Sequence, residues 1–275
     1  MNTNRAGTWV IRIVLLLFVL MVIYPIFFVL LTSLKSTSEF YKNIWLLPRQ
    51  YAWGNYAYAW NIAKIGDYFL TSVIIVSITV VVTLLLSALA GYGLARLNVP
   101  FADTIVIVIF LLSMLPSESI LMPSYLLISK LGFTGSYSSV IIPYISWGLP
   151  LSIYIYRNFF QTVPNEIIEA ARIDGCSETG TFTKIVLPIV RPATVTNAIF
   201  IFLGWWGEML WASVELSASK LKTLPLGITA FMQSAGTNWG PLCAASAIIL
   251  VPVIVFFLFT QKYLVAGLTG GAVKG

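Results

Sequence analysis

The chain has 275 residues, of which 59% are hydrophobic and 9% are charged, and its mean hydropathy is +0.91. A soluble domain carries roughly 25% charged residues, so the composition excludes a soluble protein and indicates a protein of the lipid bilayer. The net charge of +6 requires no nucleic-acid partner, because proteins that face anionic lipids are commonly basic.

Long apolar stretches recur along the chain. A helix needs about 20 mostly apolar residues to cross the hydrocarbon core, and six stretches meet that length. We therefore predict an all-α fold: a polytopic membrane helical bundle with six transmembrane helices, in one domain that covers residues 1–275. The predicted spans are residues 9–34, 68–95, 105–129, 138–156, 194–213 and 241–263.

Basic residues in the connections indicate the orientation. If both termini lie inside, the inner segments contain six arginines and the outer segments contain one, Arg49. When lysines are included, the inner segments contain nine basic residues and the outer segments contain seven. Because inner loops are enriched in basic residues, we expect a multi-pass protein of the cell membrane with both termini in the cytoplasm. The inner arginines are Arg5, Arg12, Arg96, Arg157, Arg172 and Arg191.

The inner connection from residue 157 to residue 192 is too long for a simple turn. Pro164 and Asn165 predict the start of a short helix, with proline in the first turn and Asn165 as its cap. Gly175 predicts the end of the helix, because glycine readily adopts the left-handed conformation found there. Helical spacing puts two groups on opposite sides: Ile167, Ile168, Ala170 and Ala171 on one, and Asn165, Glu169 and Arg172 on the other.

Asp174 is unusual at the end of this predicted helix. A carboxylate in the last turn opposes the negative end of the helix dipole, at a cost of roughly a few tenths of a kcal/mol. The residue therefore predicts a specific hydrogen bond or a partner. The alternative is an ordinary solvated loop acid, since exposed acids are common.

The sequence lacks the groups that catalysis would need. It contains no histidine, which excludes Ser-His catalysis and histidine metal ligation, and no phosphate-binding loop of the G-x-x-x-x-G-K-S/T type. We predict that the chain is no enzyme, has no catalytic or metal-binding residues and binds no cofactor itself. The acids within the predicted spans are Glu118 and Glu208, a weak basis for a proton-coupled antiporter.

The segment 169–192 contains a motif. It begins Glu-Ala-Ala-Arg-Ile-Asp-Gly and continues with Phe182, Pro188 and Pro192. This pattern resembles the EAA signature of the membrane subunits of ABC importers. Five further stretches are similar to the carbohydrate branch of that family, close to the maltose-type permeases: residues 32–35, 90–96, 156–160, 204–208 and 261–275.

The resemblance implies a permease subunit of an ATP-driven importer, with residues 157–192 as its coupling loop. Within this loop, residues 165–175 would form a coupling helix that fits a cleft on a cytoplasmic ATPase dimer, and ATP and Mg²⁺ would bind to that dimer. The other implied partners are a second, related permease and an extracytoplasmic solute-binding protein. The implied coupling residues are Glu169, Ala170, Ala171, Asp174, Gly175 and Pro188, and the implied C-terminal contacts with the ATPase are Gly271, Lys274 and Gly275.

The implied solute is a sugar or oligosaccharide, and aromatic side chains near the spans are candidates for its path because their faces suit a sugar ring. Aromatic residues at span ends are commonly interface anchors instead, and acids there could also hydrogen-bond between helices. The candidates are Glu118, Tyr125, Trp147, Trp205, Trp206 and Glu208.

Two other functions share parts of this pattern. A permease for another solute, such as a polyol phosphate, would keep the coupling loop but should have basic residues facing the cavity. Arginine and lysine are nearly absent from the predicted spans. A secondary transporter would work without an ATPase and predicts membrane charges that the sequence lacks. A sugar importer is therefore the preferred interpretation.

Overall fold

The structure is a computed structural model that describes residues 5–217, 219–232 and 238–272, with only the backbone of residues 5, 6, 230, 232 and 263–272. These residues form helices and turns without a β-strand, which confirms the predicted all-α class. The helices are α1 Arg5–Ser33, α2 Thr37–Lys42, α3 Gly54–Ala57, α4 Ile65–Arg96, α5 Ala102–Leu112, α6 Ser117–Lys130, α7 Tyr137–Gln161, α8 Asn165–Ile173, α9 Glu178–Gly180, α10 Leu187–Ile189, α11 Arg191–Trp206, α12 Leu210–Glu215, α13 Leu224–Ile228 and α14 Trp239–Ala272. Tyr58–Ile62 and Thr181–Val186 are π-helical, and Thr229–Met232 is a 3₁₀ turn.

Within the described residues, four helices are long and apolar enough to cross a membrane: Gly7–Ser33, Ile65–Arg96, Tyr137–Gln161 and Trp239–Lys262. The number rises to six if each of two bent helix pairs forms one span. These pairs are Ala102–Leu112 with Ser117–Lys130, and Glu178–Ile189 with Arg191–Trp206. The helices agree with four predicted spans to within a few residues at most ends. The number of six spans stays a prediction.

The third predicted span, residues 105–129, is wrong as a single helix. The structure divides it into α5 and α6, which meet at an angle of 93°. The break falls at Pro116, which lacks a backbone N–H and disfavours the helical conformation of the preceding residue, Leu115. After α5 the backbone N–H groups bond to carbonyls three residues earlier instead of four. The N–H of Met114, for example, donates to the carbonyl of Leu111 at 3.0 Å.

The fifth predicted span, residues 194–213, is also wrong as a single helix. Helix α11 ends at Trp206, and α12 begins three residues after Gly207. The carboxylate of Glu208 stabilises the first turn of α12. It accepts hydrogen bonds from the N–H groups of Trp211 at 2.7 Å and Ala212 at 3.1 Å. These two donors would otherwise be unpaired at a helix start.

The chain divides into two compact units. One comprises Met1–Phe69 and Gly227–Pro252, and the other comprises Leu70–Leu226 and Val253–Gly275. The coupling loop and the aromatic candidates for the solute path all lie in the second unit. In that unit, α7 contacts α5, α6, α11 and α12.

Two hydrophobic cores lie within the second unit. Because lipid is as apolar as these side chains, close van der Waals packing holds such helices together in a membrane. The α8 core consists of Ala88, Tyr92, Tyr156, Phe160, Val163, Ile168, Phe182, Val186, Val190 and Ala193. The α12 core consists of Ile75, Val140, Ile141, Tyr144, Trp211, Ala212 and Leu216.

Helices α4 and α7 approach each other closely at Gly91. A Cβ atom at this position would lie 2.8 Å from Cβ of Tyr156 and 3.1 Å from the backbone nitrogen of Arg157. Small residues commonly permit this kind of helix contact in membranes. The contact brings the last turns of α4 beside the end of α7.

In the first unit, every described side chain of α1 from Gly7 to Phe27 is exposed. Its end is held by polar contacts: Nδ2 of Asn55 donates to the carbonyls of Ser33 and Lys35, both at 2.8 Å. Lys35 is 1% exposed, and its ammonium donates to the carbonyl of Ile44 at 2.8 Å. The connection after α1 is therefore a folded segment.

Candidate functional site

Helix α8 is nine residues long and begins directly after Pro164. At its other end, the N–H of Gly175 donates to the carbonyl of Arg172, and the N–H of Cys176 donates to the carbonyl of Ala171, both at 3.0 Å. Gly175 has a φ of 80°. These bonds form a Schellman motif, which needs a left-handed residue at this position. The prediction that Gly175 ends the helix is confirmed.

One side of α8 packs against its own chain, and the other side is exposed. Ile168 and Ala171 are each 4% exposed, whereas Ile173 is 86% exposed. We call the exposed side the docking face; it consists of Glu166, Ile167, Glu169, Ala170 and Ile173.

The structure corrects the role expected for Ala171. The resemblance implies that Ala170 and Ala171 both lie against the ATPase. Ala171 instead faces its own bundle, and a methyl group that is 4% exposed is out of reach of a partner. The buried side of α8 is narrower than helical spacing suggests, because it contains Ile168 and Ala171 but not Ile167 or Ala170.

Arg96, the last residue of α4, binds the junction between α7 and α8. Its Nε donates to the carbonyl of Phe160 at 3.0 Å, and its Nη2 donates to the carbonyls of Phe160 and Val163. Its Nη1 donates to Oδ1 of Asn165 at 2.5 Å. The prediction that Asn165 caps α8 is therefore wrong: α8 has no side-chain cap bond, and the Asn165 oxygen is bonded to Arg96.

Glu178 connects the other end of α8 to α4. Its Oε1 accepts a hydrogen bond from Nε of Arg172 at 2.8 Å and lies 2.7 Å from Nη2 of the same residue. Its Oε2 accepts a hydrogen bond from the hydroxyl of Tyr92 at 3.4 Å. The Tyr92 ring also contacts Phe182, with 4.9 Å between centroids.

Prolines shape the return of the coupling loop toward the bundle. Pro188 and Pro192 lie in the first turns of α10 and α11, where proline is tolerated. The helical stretch Glu178–Ile189 makes an angle of 76° with Arg191–Trp206.

Asp174 is exposed, and no described residue bonds its side chain. Of the two alternatives for this residue, the structure of this chain therefore agrees with a solvated loop acid.

Several aromatic candidates meet beside α12. The ring of Trp205 stacks on that of Tyr144 with 4.0 Å between centroids, and the Tyr144 hydroxyl donates to Oε2 of Glu208. Trp147 makes an edge contact with Trp211 at 6.3 Å. We call Tyr144, Trp147, Trp205, Glu208 and Trp211 the aromatic cluster.

A cavity of about 450 Å³ opens beside this cluster. Trp147 and Trp211 lie in its wall together with Ser124 and Ser146, and most of the remaining wall is aliphatic. The residues that line the cavity carry no charge. Such a surface can bind a neutral solute through aromatic faces and hydroxyl groups.

The other candidates lie elsewhere. Glu118 is exposed and Tyr125 is half-buried on α6, and neither belongs to the aromatic cluster. Trp206 is 4% exposed and packs on Phe202, with 5.4 Å between ring centroids. Gly271 lies within α14, and Lys274 and Gly275 lie outside the described residues.

Two residues of interest were missed by the sequence analysis. Ile173 dominates the docking face, but its exposure cannot be read from helical spacing alone. Glu215 is 0% exposed, and neither of its carboxylate oxygens has a hydrogen-bond partner in the described part of the chain. Helix α12 lies outside the candidate spans, and burial raises the pKa of Glu215 to about 7. No local signal in the sequence marks this burial, because it arises where α12 packs against α7.

No group of three or more Cys, Asp or Glu residues among those described is arranged to hold a metal ion. The candidate residues that the structure describes form two surfaces: the exposed side of α8, and the aromatic cluster with its uncharged cavity.

Comparison with known proteins identifies the family. The family described as "binding-protein-dependent transport system inner membrane component" matches residues 83–270. The arabinooligosaccharides permease AraQ of Bacillus subtilis is 34% identical over 272 residues, covering 96% of each chain. The trehalose permease SugB of Mycobacterium tuberculosis is 33% identical over 278 residues, covering 100% of each.

A solved structure has the same fold. It is a bacterial ABC transporter involved in the import of the acidic polysaccharide alginate, and its matching chain superposes with a TM-score of 0.80 at 20% identity, over 96% of this chain and 98% of that one.

These matches confirm the resemblance to ABC importer permeases, and with it the prediction of a multi-pass membrane subunit rather than an enzyme. A subunit of this kind works in the membrane with a binding protein and an ATPase. The chain belongs to the family of binding-protein-dependent transport system inner membrane components.

Proposed function

We propose that the chain forms half of the translocation pathway of an importer for a neutral sugar or oligosaccharide. A second, related permease supplies the other half, and an ATPase dimer that binds ATP and Mg²⁺ drives transport. The names of the relatives AraQ and SugB support a carbohydrate. The uncharged lining of the cavity beside Trp147 supports a neutral solute over a polyol phosphate, which would need basic partners.

The observation that carries the coupling role is the two-sided burial of α8. Ile168 is buried in the α8 core, while Ile173 is 86% exposed. A short helix is marginal alone, and an exposed apolar side chain next to Glu169 and Ala170 fits a protein partner better than water. The docking face is our candidate for the contact with the ATPase, and exposed Asp174 adds an acceptor beside it.

The proposed mechanism is alternating access. Closure of the ATPase dimer moves the docking face of each permease, and the helices packed on α8 follow because they share the α8 core. The cavity between the two permeases then opens toward the binding protein and accepts the solute. Reopening of the dimer reverses the movement and releases the solute inside.

The aromatic cluster is our candidate for the solute path. Trp147 and Trp211 offer ring faces beside Ser124 and Ser146, a combination that suits the apolar faces and hydroxyl groups of a sugar. The bond between Tyr144 and Glu208 fixes the ring on which Trp205 stacks.

We also propose six spans with both termini in the cytoplasm, and a contact of Gly271, Lys274 and Gly275 with the ATPase. Labelling of single cysteines introduced at Ser38 and Thr183 tests this topology. A membrane-impermeant maleimide should modify Ser38→Cys in intact cells and Thr183→Cys only after permeabilisation. The reverse pattern would invert the topology.

Copurification tests the proposed function as a whole. The complex is purified through this chain and reconstituted in liposomes, and ATP hydrolysis is measured with arabino-oligosaccharides, trehalose or glycerol 3-phosphate and their binding proteins. We expect an ATPase to copurify and a neutral sugar to stimulate it. Absence of an ATPase would overturn the importer, whereas stimulation by glycerol 3-phosphate alone would establish the alternative solute class.

Glu169→Lys tests the docking face. The substitution reverses a charge at the proposed contact, so less ATPase should copurify. Glu118→Lys makes the same charge change on α6 and should retain the ATPase. Equal yields of ATPase from the two variants would rule out the docking face as the contact.

A further inference from the structure

Helix α4 binds both ends of α8 from two successive helical turns. Arg96 binds the start of α8 through Asn165, and Tyr92, four residues earlier, reaches its end through Glu178 and Arg172. Residues four apart lie on the same face of a helix. One face of α4 therefore connects to α8 at two points.

The Arg96 side chain joins three acceptors at the junction of α7 and α8. The guanidinium has five donors in a rigid fork, and here it serves the carbonyl of Phe160 in the last turn of α7, the carbonyl of Val163 just after α7, and one side chain of α8. Carbonyls in the last turn of a helix lack partners within the helix, and a cation is favourable at that end. A lysine has the charge but lacks the planar fork that joins the three acceptors.

The first half of α4 leads to the aromatic cluster. Ile75 of α4 belongs to the α12 core with Tyr144 and Trp211. Between Ile75 and Arg96, α4 is uninterrupted and about 32 Å long at 1.5 Å per residue. A displacement of α8 that moves Arg96 therefore also moves a residue packed against the aromatic cluster.

We infer that Arg96 is a positioning residue for energy coupling: it makes α8 and α4 move as one body, so that movement at the docking face reaches the aromatic cluster. The inference rests on the proposed function of α8. It goes beyond that function by assigning the connection between the two surfaces to one side chain, which is not itself on the docking face.

The test measures solute imported per ATP hydrolysed in liposomes that contain the full complex. Arg96→Gln removes the charge and most donors, and we expect the complex to assemble and hydrolyse ATP while solute per ATP falls at least fivefold, within the range of measured coupling energies. The amount of solute imported per ATP by Arg96→Lys should lie between the values for Arg96→Gln and wild type. Asn165→Ala removes one acceptor and should lower the ratio in the same direction.

The matched control is Asp103→Asn. Asp103 pairs with Arg157 and ties α5 to α7, so this variant breaks an arginine contact without touching α8, and its solute per ATP should equal wild type. The double variant Arg96→Gln with Asn165→Ala should import as much solute per ATP as Arg96→Gln alone, because Arg96→Gln already breaks the bond between the two residues. Hydrogen exchange of residues 165–173 should be faster in Arg96→Gln than in the control.

A ratio for Arg96→Gln within twofold of the control would overturn the inference. If Arg96→Gln fails to assemble, Asn165→Ala decides, and a wild-type ratio for that variant counts against the inference. Glu169→Lys separates the two proposals. If it releases the ATPase while Arg96→Gln stays coupled, only the role of Arg96 is lost; if it leaves docking intact, the function of α8 fails first and the role of Arg96 falls with it.

Discussion

Ala170 and Ala171 are neighbours in α8 but differ in their surroundings: Ala170 is exposed, whereas Ala171 is 4% exposed and faces its own bundle. The EAA motif therefore combines residues with two different surroundings. Ala171 determines how closely α8 approaches its own bundle, and Ala170 belongs to the docking face.

We predict different defects for arginine at these two positions. Ala171→Arg forces a large charged side chain into a packed site, which costs at least about 1 to 3 kcal/mol, so the yield of folded protein in detergent should fall. Ala170→Arg should leave the yield unchanged and reduce the copurified ATPase. Size-exclusion chromatography with quantification of the ATPase measures both. Similar yields for the two variants would contradict this assignment of the faces.

A second pair of neighbours, Trp205 and Trp206, should also separate by phenotype. Trp206→Ala leaves a cavity beside Phe202 and should destabilise the protein by about 3 to 5 kcal/mol. Trp205→Ala loses the stacking on Tyr144, worth about 0.5 to 1.5 kcal/mol, and should mainly lower solute uptake. Thermal denaturation and uptake assays distinguish the two. Normal uptake by Trp205→Ala would remove Trp205 from the proposed path.

Two glycines of α4 should respond in opposite directions to alanine. At Gly91 the new Cβ would lie 3.1 Å from the backbone of Arg157, so Gly91→Ala should destabilise the protein by about 1 to 3 kcal/mol. Gly93 has no atom within 4 Å of that position, and alanine favours a helix by about 1 kcal/mol. Thermal denaturation in detergent should therefore rank Gly93→Ala at or above wild type and Gly91→Ala below it.

Glu215 should make stability depend on pH. Burial raises the pKa of Glu215 from its ordinary value of 4.5 to about 7 in the folded protein, so the folded state binds the proton more tightly. The contribution of Glu215 to stability is then largest below pH 4.5, falls as the pH rises from 4.5 to 7, and levels off above pH 7. The full effect is about 3 kcal/mol at 1.36 kcal/mol per pKa unit. Glu215→Gln removes the titrating group and should raise the melting temperature at pH 8 relative to wild type.

The control for this prediction is Glu118→Gln, because Glu118 is exposed. Its melting temperature should follow the wild-type pH profile. The same pH profile for Glu215→Gln as for wild type would contradict the raised pKa of Glu215.

Local features of the chain were predictable from the sequence. Gly175 ends α8 as predicted, because a left-handed helix end depends on a few consecutive residues. The helix breaks within the third and fifth predicted spans were missed although their signals, Pro116 and Gly207, are also local; counting apolar residues gave these two residues too little weight. A window of apolar residues measures only whether a stretch can lie in lipid.

Long-range contacts were not predictable in the same way. Asn165 has the usual features of a helix cap, but Arg96, 69 residues away in the sequence, takes its side-chain oxygen. The burial of Glu215 likewise depends on how α12 packs against α7. Ala171 was misplaced for the same reason, since helical spacing gives the relative directions of side chains but not which direction faces the protein.

The separation of the two sides of α8 has a consequence for how such a subunit changes over time. Ile168 and Ala171 preserve the fold, while Glu166, Glu169, Ala170 and Ile173 contribute little to it. Substitutions on the exposed side can therefore accumulate without loss of the folded permease. A permease of this design can be adapted to a different ATPase by changing a few surface positions, and the same property makes α8 a suitable place to engineer hybrid importers.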